Sequence, residues 1–147
     1  MKIYLDACCL SRLTDDQRQP RVRDEAEAIE RILTMVRNGS ITWVSSTVLN
    51  LEVSRNPDPE RRRDAESLLV FANQILAPSD STADLATRIQ DLGIGSFDSL
   101  HVAMADESGV DVFLTTDDDL VRRSRRNPGL LRVRVENPVS WLREVQS

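Results

Sequence analysis

Short runs of apolar and β-branched residues alternate along this chain with stretches of helical period, and that alternation limits the fold more than any other feature. Residues 2–5 (KIYL), 41–45 (ITWVS) and 110–116 (VDVFLTT) read as strands. QILAP at 74–78 suits a short third strand, and LLRVRV at 130–135 alternates apolar residues with Arg as an edge or half-exposed strand does. Between them lie amphipathic helices. From Arg23 to Asn38, Ala26, Ile29, Leu33 and Val36 recur at spacings of three and four, and Asn38-Gly39 stops the helix. Strands joined through helices become parallel neighbours, and a parallel sheet is covered on both faces. The expected fold class is therefore α/β, with a central, mostly parallel sheet between helical layers.

The remaining boundaries come from caps. Residues 6–20 read as a polar loop closed by Pro20. Thr47 is a candidate cap for a short helix carrying Glu52. Asp58 followed by Pro59 is an N-cap before a first-turn proline. The helix that follows has Ala65, Leu68, Leu69, Ala72 and Leu76 on its core face. Ser81 to Asp84 has the form of a capping box for a helix reaching Leu92. Ser96 is a candidate cap for a helix holding Asp98, Leu100, His101, Ala103 and Met104, which Gly109 ends. DDDL opens another helix, and Trp141 and Leu142 belong to a short final one. With no repeat, linker or low-complexity stretch, the 147 residues read as a single domain, 1–147.

Composition removes several function classes. No apolar run approaches the roughly 20 residues of a membrane span, and Lys2 alone before the first strand is not a signal-peptide pattern. Cys8 and Cys9 are adjacent, which is poor geometry for a mutual disulfide, and with one His in the chain they do not suggest zinc. Reduced packing cysteines and a cytoplasmic setting are the expectation. A net charge of −5 argues against a simple basic nucleic-acid binder. Yet Lys2 is the only lysine among 19 basic residues. The arginines cluster at Arg61-Arg62-Arg63 and at Arg122, Arg123, Arg125 and Arg126, and guanidinium can grip phosphate bidentately.

The most informative residues are carboxylates. In open α/β sheets, ligands bind beyond the C-terminal ends of the strands. Asp6 directly follows the first strand and Asp117 follows VFLTT. Glu52 lies a helical step past the second strand, and Asp98 starts the helix before VFLTT. Each has a bland role open to it, as a helix cap, a first-turn charge or a solvated acid. Together they would repel one another unless cations are bound, and hard oxygen donors favour Mg²⁺ or Mn²⁺ over zinc.

Four segments, IYLDACCL, STVLNLEVSR, FDSLHVAMA and FLTTDDDL, resemble PIN domains in this order and at these spacings. The resemblance covers nearly the whole chain and implies a three-layer α/β/α sandwich and a metal-dependent ribonuclease. Many such proteins are VapC-type toxins of bacterial toxin–antitoxin pairs. It further implies that Asp6, Glu52, Asp98 and Asp117 form the acidic, metal-binding quartet, with Asp119 where some members carry another acid. Cys8 departs from the pattern, because members often have Ser or Asn there, and a thiol is a weaker hydrogen-bond partner. His101 recurs beside the acid, so a supporting role is expected for it over a ligating one. RNA is then the substrate and an antitoxin a partner, and Arg122, Arg123, Arg125 and Arg126 would hold flanking phosphates. A homodimer is also expected.

Geometrically, Asp6, Asp98 and Asp117 should lie within roughly 4–8 Å of one another, with Glu52 at the rim of the cluster. Two other readings stay open. An aspartyl-phosphate phosphatase would use Asp6 as nucleophile, but it wants an acid where Cys8 stands. A non-catalytic PIN-fold interaction or RNA-binding domain would have no need of all four acids.

Overall fold

A computed structural model describes all residues, Met1–Ser147. Five parallel strands form the sheet: β1 (Lys2–Leu5), β2 (Thr42–Ser46), β3 (Gln74–Leu76), β4 (Val112–Leu114) and β5 (Arg134–Glu136). Their order is β3-β2-β1-β4-β5. The chain thus winds outward from β1 to β3, then returns to the other side of β1 for β4 and β5. The order reverses between β1 and β4, which makes that crevice the switch point where such sheets bind ligands. The register sets Leu5 beside Leu114, and the Asp6 amide donates to the Leu114 carbonyl at 2.9 Å. The first residue past β1 is therefore tied to the end of β4.

Alternation along the strands divides the core in two. Ile3, Leu5, Trp43, Val112 and Leu114 face one side. There they pack on α1 (Ala7–Ser11), α2 (Pro20–Arg37), α3 (Thr47–Ser54), α4 (Pro59–Leu69) and α8 (Pro138–Gln146). Tyr4, Val44, Phe113 and Val135 face the other. That side is covered by α5 (Asp80–Gln90), α6 (Ser96–Ser108) and α7 (Asp118–Arg125). The result is the three-layer α/β/α sandwich with an all-parallel sheet. No helix is long and apolar enough to cross a membrane.

Several boundaries differ from the sequence reading, each for a local reason. Residues 6–20 are not all loop: Asp6 caps α1, whose Cys9 and Leu10 sink into the core. Pro20 opens α2 instead of closing the loop, because proline's missing N–H costs nothing at N1. Ser46, not Thr47, caps α3 by accepting from the Leu49 amide. Ser79 and Thr82 form the capping box of α5, in place of Ser81 and Asp84. Gly95, not Ser96, occupies the N-cap position of α6.

Candidate active site

Asp6 is only 4 % exposed. One carboxylate oxygen accepts from the Ala7 amide at 2.8 Å, and the other from the Thr115 hydroxyl at 2.8 Å. These donors orient the group at the mouth of the β1/β4 crevice. Cys8, half-buried, places its thiol 3.4 Å from both that second oxygen and Thr115 Oγ1. It therefore lies against the acid and is more than a packing residue. Cys9 is the packing cysteine, buried with its thiol donating to the Leu114 carbonyl.

The other acids come from separate elements. Glu52, on α3, accepts from His101 Nε2 at 2.9 Å. Asp98 stands in the first turn of α6. Asp117 caps α7 through one oxygen, which accepts from the amides of Asp119 (3.0 Å) and Leu120 (3.2 Å). The tightest group is Asp6, Glu52 and His101, each offering an atom within 4.8 Å of the others. Glu52 therefore lies within ligand distance of Asp6, while Asp98 and Asp117 are outside this tightest group. Glu52 gets there because α3 packs on α1, and His101 of α6 reaches it from across the sheet edge.

Charge crowding shows in the protonation behaviour. Burial first, then the neighbouring Cys8, Asp98 and Glu52, raise the Asp6 carboxyl well above the ordinary range despite the Thr115 bond. Burial first, then the charges of Glu52 and Asp117, push Asp98 up to about 6. The fields of all four acids overlap. Neighbouring arginines do not relieve them. Arg21 holds Asp118, Arg125 holds Glu136, and Arg122 and Arg123 hold Asp119. Asp119 is thus occupied by ion pairs, which keep it below the ordinary carboxylate range, Arg123 foremost. Four carboxylates with overlapping fields, none of them paired with an arginine or lysine, offer a hard, all-oxygen donor set suited to a divalent ion such as Mg²⁺ or Mn²⁺.

The arginine cluster divides on inspection. Arg123 turns inward to Asp119 and the Leu92 carbonyl. Arg122, Arg125 and Arg126 line a hollow of about 480 Å³ with Glu136, Asn137 and Ser140.

Sequence reasoning missed two supports. Thr115 holds Asp6, and only its place beside Thr116 before an acid hinted at a polar role. A charged brace also fixes the turn that carries Asp117. Arg21 reaches Asp118 at 2.7 and 2.8 Å and the Thr116 carbonyl at 3.1 Å. Beneath it Glu25, 1 % exposed, accepts from Arg12 (2.8 Å) and Asn137 (2.7 Å).

Acids at the switch point of a parallel sheet, inside a three-layer α/β/α sandwich, define a fold and donor set that could hold a divalent ion. The PIN domain family model matches residues 3–126, and the chain belongs to that family, whose members are nucleases. Among solved structures, VapBC2 from Rickettsia felis, bound to a DNA fragment from their promoter, superposes with a TM-score of 0.57 at 16 % identity. That match covers 93 % of this chain and 98 % of the other. PAE2754 from Pyrobaculum aerophilum superposes with a TM-score of 0.56 at 12 % identity, over 100 % of this chain and 91 % of that one. At such identities the likeness is one of fold. No curated protein matches the sequence.

Proposed function

We propose that this chain is a metal-dependent endoribonuclease, formed by one domain over residues 1–147, and the toxin of a type II toxin–antitoxin pair. Asp6 and Glu52, brought within ligand distance beyond the sheet's C-terminal edge, with the charges of Asp98 and Asp117 close enough to act on the same cluster, are the observation that carries this assignment. Asp6, Glu52, Asp98 and Asp117 would hold Mg²⁺ or Mn²⁺. A bound ion supplies Lewis-acid chemistry for in-line hydrolysis of an RNA phosphodiester, with 5′-phosphate and 3′-hydroxyl products. The protein's own part is orientation and grip. Ala7 and Thr115 keep Asp6 aimed into the crevice. Asp117 is held at a fixed angle by the α7 amides. Arg122, Arg125 and Arg126 hold flanking phosphates, which suits an acidic protein that must still bind a polyanion.

Family membership and the fold shared with VapBC2 support the toxin reading and an antitoxin partner. A cytoplasmic homodimer is part of the same proposal. The test is cleavage of a mixed RNA pool with Mg²⁺ or Mn²⁺, with and without EDTA. Cleavage that needs the metal and is lost in Asp6→Asn supports the assignment. Cleavage that persists in EDTA, or in Asp6→Asn, refutes it. RNA binding without cleavage in either metal points to the non-catalytic PIN-fold alternative.

A further inference from the structure

We infer that Tyr4 and His101 are positioning residues for Glu52, acting through a one-way chain of hydrogen bonds that fixes the tautomer of His101. The inference rests on reading the acidic cluster as a metal site. Four contacts make up the chain. The Leu49 amide meets Ser46 Oγ at 3.1 Å, and Ser46 Oγ meets Tyr4 Oη at 2.6 Å. Tyr4 Oη meets His101 Nδ1 at 2.7 Å, and His101 Nε2 meets Glu52 Oε1 at 2.9 Å. Ser46, Tyr4 and His101 are each fully buried.

Both ends have fixed polarity. A backbone amide only donates, so Ser46 Oγ accepts from Leu49. A carboxylate only accepts, so His101 Nε2 carries a proton toward Glu52. In a neutral imidazole Nδ1 is then an acceptor, and the Tyr4 hydroxyl donates to it. Tyr4 has one proton, so its oxygen accepts from Ser46. Every donor and acceptor in the row is satisfied by this arrangement. An imidazolium would reverse the middle of the chain and leave the buried Ser46 hydroxyl proton without an acceptor, at the cost of an unmade buried hydrogen bond.

The row explains why His101 supports the metal site and does not ligate it. Asp6, Glu52 and His101 are close enough to form a three-residue site on distance alone. However, the Nε2 lone pair is committed to the proton shared with Glu52. The ring is also held in place. Tyr4 stacks on Phe113 at 5.4 Å between centroids, and Phe97 stacks on His101 at 6.4 Å. A rigid donor therefore pins one Glu52 oxygen and leaves the other free to face the cluster. Partners of this kind, behind a metal-bound carboxylate, are worth 10–100-fold in metal affinity or activity.

The test uses the full chain. ¹⁵N NMR of the single histidine, without metal, should show a neutral ring protonated at Nε2. That proton should remain when Mg²⁺ is added. Calorimetric Mn²⁺ binding should weaken about 10–100-fold in His101→Leu. His101→Gln, whose amide can still donate from the ε position, should recover most of the loss. Tyr4→Phe should lower kcat more than it raises KM and leave an intermediate metal affinity. An Nδ1-protonated or imidazolium ring in the parent overturns the inference without needing any variant to fold. So does loss of the Nε2 proton on Mg²⁺ loading, which would make His101 a ligand, or parent-like Mn²⁺ affinity in both His101→Leu and Tyr4→Phe. A parent that binds no Mn²⁺ overturns the metal reading itself, whatever the tautomer.

Discussion

Asp98→Asn should stabilise the metal-free protein, and the size and pH dependence of the effect can be worked out. Asp98 is raised from its ordinary 3.8 to about 6, mainly by burial and then by Glu52 and Asp117. A folded-state pKa above the unfolded value means that the native state binds the extra proton between these limits. Stability is therefore lost as pH rises from about 4 through 6, and the loss is complete above about pH 7. At about 1.4 kcal/mol per unit the full penalty approaches 3 kcal/mol. Asp98 is only partly buried, so solvent screening roughly halves it, to about 1.5 kcal/mol. Its favourable charge in the first turn of α6 takes back about 0.5 kcal/mol. A net gain of about 1 kcal/mol in the amide variant remains, or about 2–4 °C in Tm for a chain of this length. The assay is thermal unfolding in EDTA at pH 4 and pH 7.5. The two proteins should coincide at pH 4 and separate at pH 7.5, with the variant higher. Excess Mn²⁺ should erase or invert the order, because only the parent keeps all its ligands. Equal melting at both pH values in EDTA, or a variant less stable at pH 7.5, would refute the crowding argument.

Asp6→Asn should keep the fold, since the amide oxygen can still accept from Ala7 while its NH2 donates to the Thr115 hydroxyl, and should abolish both calorimetric Mn²⁺ binding and RNA cleavage. Glu25→Gln should destabilise the fold by about 1–2 kcal/mol, read by urea unfolding, because the charge-assisted bonds from Arg12 and Asn137 become neutral ones. Its residual activity should fall further than its stability loss explains, since the same brace holds the turn bearing Asp117. Arg126→Ala should weaken RNA binding at all sequences and lower the salt slope by about 1, with Mn²⁺ binding unchanged.

How much of this could be read from the sequence depended on how far apart the interacting residues lie. The sheet was legible because strand and helix periods alternate, and the closeness of Asp6 and Glu52 was legible because each follows a recognisable strand. The helix α1 was not. Its five residues, ACCLS, are too few to show a period, and it is held by the Asp6 cap and by burial of Cys9 and Leu10. Cap residues slipped where several candidates stand together, as at Ser46 and Thr47 or Ser79 and Ser81, because any of these hydroxyls can cap. Tyr4 and His101 are 97 residues apart. Strand alternation does turn Tyr4 away from Ile3 and Leu5, but only the topology brings α6 over it. Glu25 lies beside the apolar stripe of its helix and looks solvated in sequence. Arg12 and Asn137, from distant elements, are what draw it inside.

The most direct test of the metal site is anomalous scattering from crystals soaked in Mn²⁺. The account predicts one or two peaks at the C-terminal end of β1 and β4, each about 2.0–2.2 Å from carboxylate oxygens drawn from Asp6, Glu52, Asp98 and Asp117. His101 Nε2 should stay hydrogen-bonded to Glu52. No peak at that site in well-diffracting crystals, or a peak bonded to His101 Nε2, would contradict it.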